Sequence, residues 1–243
     1  MSTAKANTVS KVFSVFGEIL LTVGVLILLF LGWKLWLNDI IVGDSQITAA
    51  QERSDQWQQK PTEDIVDNTE PSEPVVRPEP GHKEVIGNIY IPRFGAGYVR
   101  TMAQGTGTDV ISDTTLGIGH YEGTQMPGEV GNFAVAAHRT TYGGSFRNID
   151  SLQEGDPIVV ETADGWYVYR YANFEIVKPN QVSVLDPVPN QPTTPATVAT
   201  ITLTSCHPVF SAKQRYIAYG VFDVFYAHGE KIPEEVEKML AGG

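Results

Sequence analysis

The sequence has one cysteine, Cys206, among its 243 residues. A single thiol cannot form a disulfide within the chain, so no disulfide framework holds this fold together. A lone cysteine is either a small buried core residue or a thiol kept for its reactivity. Cys206 directly follows Thr202-Leu203-Thr204-Ser205, at the end of a predicted strand. The rest of the sequence has to decide between these two roles.

Basic residues are also in deficit. The chain has 17 Lys and Arg residues against 28 Asp and Glu residues, which gives a net charge of -11. Because phosphate binding needs a basic surface, this charge argues against nucleic acid as a partner. No Cys/His cluster has zinc-ligand spacing, and no glycine-rich loop has a Walker or dinucleotide pattern. The sequence therefore predicts neither a metal site nor a nucleotide site.

One stretch, residues 19–37, is long and apolar enough to cross a bilayer as a helix. Its one charged residue, Lys34, lies close enough to the end to reach the membrane interface. Trp33 and Trp36 occupy the positions of an interfacial aromatic belt. These features predict a transmembrane helix.

Charges on either side of this helix predict its orientation. Lys5 and Lys11 precede it, and Asp39 and Asp44 follow it. The positive-inside rule places residues 1–18 in the cytoplasm and everything after about residue 40 outside the cell. A cleaved signal peptide is the alternative. The apolar run is longer than the core of a signal peptide and no clear cleavage site follows it, which favours the anchor.

Residues 38–83 have a different composition. Nine acidic residues against three basic ones lie between positions 44 and 80, and five prolines fall between 61 and 80. Few large apolar residues are available for burial, so this segment is predicted to be an extended, disordered spacer. A short helix over residues 46–59 is the alternative for its first part.

Residues 84–227 form one predicted domain of short apolar runs separated by Gly and Pro. Asp164-Gly165 joins two of these runs as a hairpin turn. Helical periodicity is scarce, so the pattern predicts a mainly β domain, a closed or nearly closed β-barrel. A short amphipathic helix over residues 233–240 is predicted in the tail, residues 228–243. The predicted strands are 86–92, 132–138, 157–161, 165–171, 173–178, 197–203 and 216–226.

A reactive thiol needs a partner that moves protons. His138 ends an apolar predicted strand, where a polar side chain would lie at the rim of the barrel. His120, in the sequence Gly-Ile-Gly-His-Tyr, is the competing candidate. His207 adjoins Cys206, but neighbouring side chains on a strand point to opposite faces, which makes it a poor base.

Arg215 is the candidate for stabilising negative charge. It begins the last predicted strand, nine residues after Cys206, and the loop 208–214 would place the two residues side by side. A guanidinium there could stabilise both a thiolate and a tetrahedral oxyanion. Each residue alone also has a structural interpretation: a core cysteine, a strand-end histidine or a surface arginine.

Taken together, these residues resemble the signature blocks of the sortase family. The blocks are Ala136-Ala137-His138-Arg139, then Thr202-Leu203-Thr204-Ser205-Cys206, then Arg215, in the family's order. Papain-like proteases have the cysteine before the histidine. The resemblance covers about residues 84–226, and the anchor with an acidic spacer is similar to the usual sortase layout.

A finer resemblance is to the class E sortases of actinobacteria. Residues 119–128 read Gly-His-Tyr-x-Gly-Thr-x-x-Pro-Gly, residues 138–143 read His-Arg-Thr-Thr-Tyr-Gly, and Cys206-His207-Pro208 also fits. Ala137 departs from the pattern, since many members have Gly there. Because neither a lid motif nor a C-terminal anchor is evident, a housekeeping role is expected rather than pilus assembly.

The resemblance implies a cysteine transpeptidase on an eight-stranded β-barrel. Cys206 would attack the Thr-Gly peptide bond of a C-terminal sorting signal on a secreted protein. His138 would transfer protons and Arg215 would hold the oxyanion. The acceptor would be an amine of a peptidoglycan precursor, lipid II. No cofactor follows from this chemistry, and calcium dependence is left open.

The resemblance also suggests substrate contacts. Class E members are associated with Leu-Ala-x-Thr-Gly in place of Leu-Pro-x-Thr-Gly, and Tyr121 matches a position linked to that preference. A packing role for Tyr121 at the barrel rim is equally open. Thr204, Ser205 and His120 are the other predicted substrate-binding residues.

Two other functions compete with this prediction. The chain could be a non-catalytic, membrane-tethered β-barrel that binds wall polymer or protein, with a decayed active site. It could also be an L,D-transpeptidase, but the His-Gly-Cys type of motif of that class is absent. A covalent adduct at Cys206 would separate the enzyme from the binding module.

Overall fold

The computed structural model describes residues 3–33, 37–58, 70–229 and 233–241. Helix α1 spans Thr3–Gly32. Within the described residues, Phe13–Gly32 is the one stretch long and apolar enough to cross a membrane. Of the predicted interfacial residues, Trp33 is described and exposed, whereas Lys34 and Trp36 lie outside the described residues.

Helix α2, Asn38–Gln58, differs from the predicted spacer. It is longer than the predicted helix over 46–59 and packs on the barrel. Val42, Gln46, Ala50 and Ser54 are buried, and their spacing of four residues places them on one helical face. Acidic residues on the outer surface of α2 dominate its composition, so a prediction based on composition does not detect the buried face. The prediction of a disordered segment is therefore wrong for residues 38–58.

Buried hydrogen bonds also hold α2 against the barrel. Ser54 Oγ donates to the buried Glu161 carboxylate at 2.8 Å. Asn88 Nδ2 donates to the Ala50 carbonyl at 2.9 Å. Each such bond contributes about 1 kcal/mol, and breaking one inside the protein costs more. The docked position of α2 is therefore specific.

Residues 70–83 have no regular secondary structure, but they lie against the barrel. Ser72 N donates to Phe225 O at 2.9 Å, and Tyr167 Oη donates to Val75 O at 2.5 Å. Arg77 pairs with Asp164. The predicted disorder does not extend to this part of the segment. Residues 59–69, which belong to the same predicted spacer, lie outside the described residues.

The predicted eight-stranded β-barrel is confirmed. Its strands close in the order β1-β2-β3-β4-β7-β8-β6-β5. The β2/β3 and β4/β7 pairs are parallel, and the other neighbours are antiparallel. The strands are β1 (Val85–Tyr90), β2 (Val99–Gln104), β3 (Gly117–His120), β4 (Gly131–Ala137), β5 (Pro157–Glu161), β6 (Gly165–Val177), β7 (Ala199–His207) and β8 (Gln214–Ala227).

The long strand β6 corresponds to two predicted strands. Its pairing with β8 shifts register between Tyr171 and Asn173, so a β-bulge replaces the predicted break. The predicted hairpin turn before β6 is present. Gly165 has φ +153, and a Cβ there would lie 2.2 Å from the Tyr226 carbonyl oxygen. Only glycine fits this close approach.

Short helices connect the strands. Helix α3, Thr108–Ile111, lies between β2 and β3. A 3-10 turn, Val182–Leu185, lies in the loop between β6 and β7. Helix α4, Glu234–Ala241, matches the short helix predicted in the tail. Its Val236 is buried in a small cluster with Trp166 on the barrel wall.

The main core lies inside the barrel and defines its inner and outer faces. Three neighbouring strands contribute to it at alternate positions, as a pleated strand requires. These residues are Phe133, Val135 and Ala137 of β4, Ile201 and Leu203 of β7, and Tyr216 and Ala218 of β8. The residues between them on each strand therefore face outward.

Candidate active site

Strand register brings the three predicted catalytic residues together. Cys206 of β7 lies directly opposite Arg215 of β8. On the other side of β7, Ala136 of β4 lies opposite Thr204. Continuing this parallel register by two residues places His138 opposite Cys206. His138 directly follows the end of β4, so the three residues lie at the same end of three adjacent strands.

They also share one face of the sheet. Directly opposed residues have their side chains on the same face. Since Ala137 and Tyr216 point into the core, His138 and Arg215 point out of it, and so does Cys206. Ser205 Oγ donates to the Ala137 carbonyl at 2.9 Å, which holds β4 and β7 together at this level. The site is an outer surface of the barrel rather than its interior.

His138 has two described neighbours that orient its ring. A hydrogen bond of 2.9 Å joins its Nε2 to Ser112 Oγ. The Tyr142 ring lies against it with 5.2 Å between centroids. Nδ1 has no hydrogen-bond partner among the residues that the structure describes. One ring nitrogen is therefore anchored and the other is available to a substrate.

The surroundings of His138 favour its neutral form. Burial lowers the pKa of the imidazole below its ordinary value, and the Asp39 carboxylate opposes this shift without cancelling it. A neutral imidazole can accept a proton at neutral pH.

Arg215 is partly anchored as well. Its Nη1 donates to the carbonyls of Ala212 and Gln214, both at 3.0 Å. Within the described part of the chain, Nε and Nη2 donate no hydrogen bond. These two nitrogens form one edge of a planar guanidinium, which matches the geometry of two oxygen acceptors.

The long loop between β6 and β7 covers part of the same outer face. Asn132 Nδ2 donates to the carbonyls of Val184 and Asp186, both at 3.1 Å. Val184 packs against Ile217 of β8, which lies two residues beyond Arg215 on the same face. The loop therefore lies over the outer face close to Arg215, and the outer face of β4 and β7 between this loop and Cys206 is called the groove below.

Tyr121, which follows β3, reaches the outer face of β7. Its hydroxyl and Thr204 Oγ1 are hydrogen-bonded at 3.0 Å. Thr204 is buried, and Thr204 Oγ1 also donates to the Val135 carbonyl. The pair joins the β3–β4 loop to the floor of the groove.

Ser205 faces the interior of the barrel. It is buried, and its hydroxyl is bonded to the Ala137 carbonyl. Its side chain therefore supports the sheet beneath the site and does not face the groove.

His120 does not join the site. Its side chain is 0% exposed and stacks on Phe133 inside the barrel. Both ring nitrogens have protein partners: Nδ1 lies 2.7 Å from Gln104 Oε1, and Nε2 lies 3.0 Å from Gln125 O and 2.9 Å from Thr124 Oγ1. Burial also lowers its pKa. His120 is a structural residue here, so the predicted direct contact with substrate has no support from its position.

Two further residues beside the site have structural roles. His207 faces inward from β7, with its ring 6.0 Å from that of Tyr216. Arg139 follows His138 and is almost fully buried, where it pairs with Asp150 at 2.6 Å. It also lies over the ring of Tyr216. Neither side chain faces the groove.

Ser112 is the residue near His138 that the sequence did not reveal. It caps the one-turn helix α3 and reaches His138 only because β3 and β4 are adjacent. A serine in a loop carries no sequence signal of that contact.

A β-barrel with a free thiol beside a histidine and an arginine has the form of a cysteine transpeptidase. The family model for the sortase domain matches residues 89–223, more than half of the chain. The chain belongs to the sortase family. Sortases are cysteine transpeptidases, so the predicted family and enzyme class are confirmed.

Similar proteins include class E members, as the sequence predicted. Sortase SrtE1 of Streptomyces coelicolor is 37% identical over 84% of this chain, and the match spans 55% of that protein's length. Sortase SrtE2 of the same organism is 32% identical over 87% of this chain and 82% of its own length.

Solved structures give the same result. The SrtA sortase from Actinomyces oris has a TM-score of 0.62 at 43% identity, covering 67% of this chain and 92% of that one. Sortase E1 from Streptomyces coelicolor, solved with a tripeptide in its active site, has a TM-score of 0.57 at 36% identity. That match covers 63% of this chain and 96% of that chain.

Proposed function

We propose that this chain is a membrane-anchored transpeptidase that cleaves a C-terminal sorting signal between Thr and Gly. The signal would be Leu-Pro-x-Thr-Gly-like, with Leu-Ala-x-Thr-Gly preferred. The carboxyl group of Thr would then be joined to an amine of a cell-wall precursor, lipid II. The observation that carries this proposal is the strand register that places Cys206 directly opposite Arg215, with His138 following the neighbouring strand β4.

The first half of the reaction forms a thioester. The Cys206 sulfur attacks the carbonyl carbon of Thr, and the C–N bond to Gly breaks. His138, which has taken the proton of the Cys206 thiol, gives it to the leaving amine. The tetrahedral oxyanion lies within reach of the free Nε and Nη2 edge of Arg215. No electrons are exchanged, so the step needs no cofactor.

The second half reverses these roles. An incoming amine attacks the thioester carbonyl, its proton passes to His138, and the Cys206 thiolate leaves. Water in place of the amine would give hydrolysis. The outer face between the β6–β7 loop and Tyr121 would receive an extended peptide. The tripeptide in the active site of the similar sortase E1 supports this use of the groove.

Anchor and orientation belong to the same proposal. The apolar stretch Phe13–Gly32 would cross the membrane, with Lys5 and Lys11 on the cytoplasmic side. The barrel would then lie outside the cell, where secreted proteins and wall precursors meet. A free thiol in that compartment would be kept for its reactivity.

A peptide assay tests the proposal. The full chain in detergent is mixed with Leu-Ala-Glu-Thr-Gly and Leu-Pro-Glu-Thr-Gly peptides and with hydroxylamine, a small nucleophile that traps thioesters. We expect cleavage after Thr, a Thr hydroxamate product by mass spectrometry, and higher kcat/KM for the Ala peptide. Peptide added to intact cells should give the product in the medium.

Controls make this assay decisive. A peptide with Thr and Gly exchanged should remain intact. Absence of cleavage and of any adduct on Cys206 would contradict the transpeptidase and favour the non-catalytic binding module. Faster cleavage of the Pro peptide would contradict only the predicted preference.

Arg215 offers a second test, because lysine keeps its charge and loses its planar edge. We expect Arg215→Lys to lower kcat by about 100-fold with little change in KM, since a compact ammonium cannot replace two aligned donors. The measurement is steady-state peptide cleavage. Arg170→Lys is the matched control, since Arg170 pairs with Asp223 on another part of the barrel. Full kcat in Arg215→Lys would show that charge alone suffices.

A further inference from the structure

Helix α2 contacts both loops that orient His138. Ser112, which is hydrogen-bonded to His138 Nε2, belongs to the loop between α3 and β3. Tyr142, which lies against the ring, belongs to the loop that follows β4. Neither loop has a regular backbone pattern that fixes these side chains. The position of the imidazole therefore depends on what holds the two loops.

The loop after β4 has an unusual backbone. Four successive residues have positive φ: Thr141 at 65°, Tyr142 at 48°, Gly143 at 83° and Gly144 at 52°. Thr and Tyr adopt this region at a cost, so such a conformation persists only when surrounding contacts impose it.

Gln46 of α2 supplies contacts to both loops at once. Its side chain is fully buried, and its Nε2 donates to Asp113 O at 2.9 Å and to Tyr142 O at 3.2 Å. Asp113 is the residue after Ser112. A single amide group therefore joins the backbone next to one His138 partner to the backbone of the other.

The approach of the loop to Gln46 is close. A Cβ on Gly143 would lie 2.4 Å from Gln46 Oε1. That oxygen is buried and accepts no hydrogen bond from the residues that the structure describes. A buried amide left with one unsatisfied atom is costly, and its two donor contacts are the reason to keep it.

Asp39 strengthens the contact two helical turns earlier on the same face. Its carboxylate accepts from Thr141 N at 3.1 Å and from Gly143 N at 3.4 Å. It also pairs with the guanidinium of Arg147 in the same loop. Asp39 and Gln46 together thus bond three of the four residues of the positive-φ segment.

A pocket of about 350 Å³ that opens to solvent borders these polar contacts. It lies between the first half of α2, strand β2 and the loop, with Asp39, Gly143 and Arg147 in its lining. Solvent rather than packed protein lies on this side of the contact, so losing one of the hydrogen bonds should let the loop move.

We propose that α2 positions His138, with Gln46 as the positioning residue that fixes Ser112 and Tyr142 around the imidazole. The inference rests on the proposed function of His138. It gives the helix next to the predicted anchor a role in the reaction and not only in attachment. Gln46 contacts neither the sulfur nor the substrate groove, so it acts through the two loops.

The test compares Gln46→Met with Gln51→Met in the full chain. Met has the length of Gln and no donor, and Gln51 is exposed on the same helix. For Gln46→Met we expect kcat for peptide cleavage to fall at least about tenfold, with KM within twofold, because a misplaced catalytic group loses rate without losing binding. Gln51→Met should match the unmodified protein.

A spectroscopic readout separates positioning from general damage. With histidines labelled with nitrogen-15, the His138 imidazole signals should shift in Gln46→Met, whereas those of buried His120 should stay. Signals are assigned by their loss in His138→Ala. If Gln46→Met does not fold, Gln46→Leu, which is uncharged and has no amide donor, takes its place.

The outcomes are distinct. An active unmodified protein whose Gln46 variant keeps kcat within twofold of Gln51→Met overturns this inference and leaves the proposed function intact. A fall in kcat with unshifted His138 signals overturns it too. An unmodified protein that cannot cleave the peptide or form a thioester contradicts the proposed function instead.

Discussion

Replacing Cys206 with alanine is expected to abolish peptide cleavage, with a loss of at least about a thousandfold in kcat/KM. The thioester cannot form without the thiol. The measurement is product formation by mass spectrometry with and without hydroxylamine. Because the chain has one cysteine, every thiol adduct reports on Cys206.

The substitution should leave the fold intact. Cys206 is only partly buried, so losing its sulfur creates no core cavity and costs little stability. Equal thermal unfolding midpoints for the two proteins would show this. Cys206→Ser is the companion variant, since a hydroxyl has the same place and far weaker nucleophilicity. Cleavage by Cys206→Ala at the unmodified rate would end the thiol mechanism.

A small change in the unfolding midpoint of Cys206→Ala would also decide between the two roles of a lone cysteine, core packing and chemical reactivity. A core cysteine is kept for packing, and its loss would destabilise the barrel. A catalytic cysteine is kept for its chemistry, and its loss would remove activity alone. The opposed Arg215 and the outward face predict the second outcome for Cys206.

Strands with β-branched and aromatic alternation were predictable from the sequence, and those that carry the site are among them. The predicted strand 132–138 corresponds to β4, and 216–226 lies within β8. The predicted strand 197–203 stopped short, because β7 continues to His207 and contains Cys206. The polar residues at its end belong to the strand since they pair with β8.

Two strands were missed because of their composition. Strand β3 reads Gly-Ile-Gly-His, and glycine opposes strand formation in isolation. Gly119 is needed there because a Cβ would lie 2.2 Å from Gly105 O. Strand β2 carries Arg, Thr and Gln between its apolar residues, and all of its residues are buried. Both strands depend on contacts with residues distant in the chain, and a local sequence pattern does not contain such contacts.

Helix α2 was hidden by its acidic surroundings. Its inner face is built of small and polar residues, so it lacks the broad apolar stripe by which an amphipathic helix is found. Ser54 and Gln46 are buried through hydrogen bonds to residues distant in the chain. Contacts of this kind follow from the closed barrel and not from the spacing of apolar residues.

The two histidines could have been separated by their strand positions. Ile118 and His120 are two residues apart on β3 and so share a face. Because Ile118 is a core residue, His120 must point inward. His138 follows Ala137, an inward residue, and must point outward. The alternation of side chains along a strand could be predicted from the sequence. Assigning each histidine to the inner or the outer face also required the strand bounds, which the structure provides.

The different positions of the two histidines lead to the second prediction with a large expected effect. Substituting His138 with alanine is expected to lower kcat/KM by about 10²- to 10⁴-fold, the range for loss of a general acid–base group. Its free Nδ1 and outward position make it the group able to serve the leaving amine. Imidazole added to the solution should restore part of the rate, because it can enter from the open groove.

His120→Ala is the matched comparison for this prediction. That residue is bonded at both ring nitrogens inside the barrel, so its loss leaves a cavity and removes the partner of Gln104 Oε1. We expect a lower unfolding midpoint, with kcat/KM per folded molecule reduced far less than in His138→Ala. Imidazole should not restore it.

The comparison decides which histidine moves protons. Steady-state rates and thermal melts on the same preparations separate loss of chemistry from loss of fold. Equal losses of rate in two folded variants would reopen the choice between them. A large loss confined to His138 would mean that the outer face of β4 and β7, and not the barrel interior, is where protons are transferred.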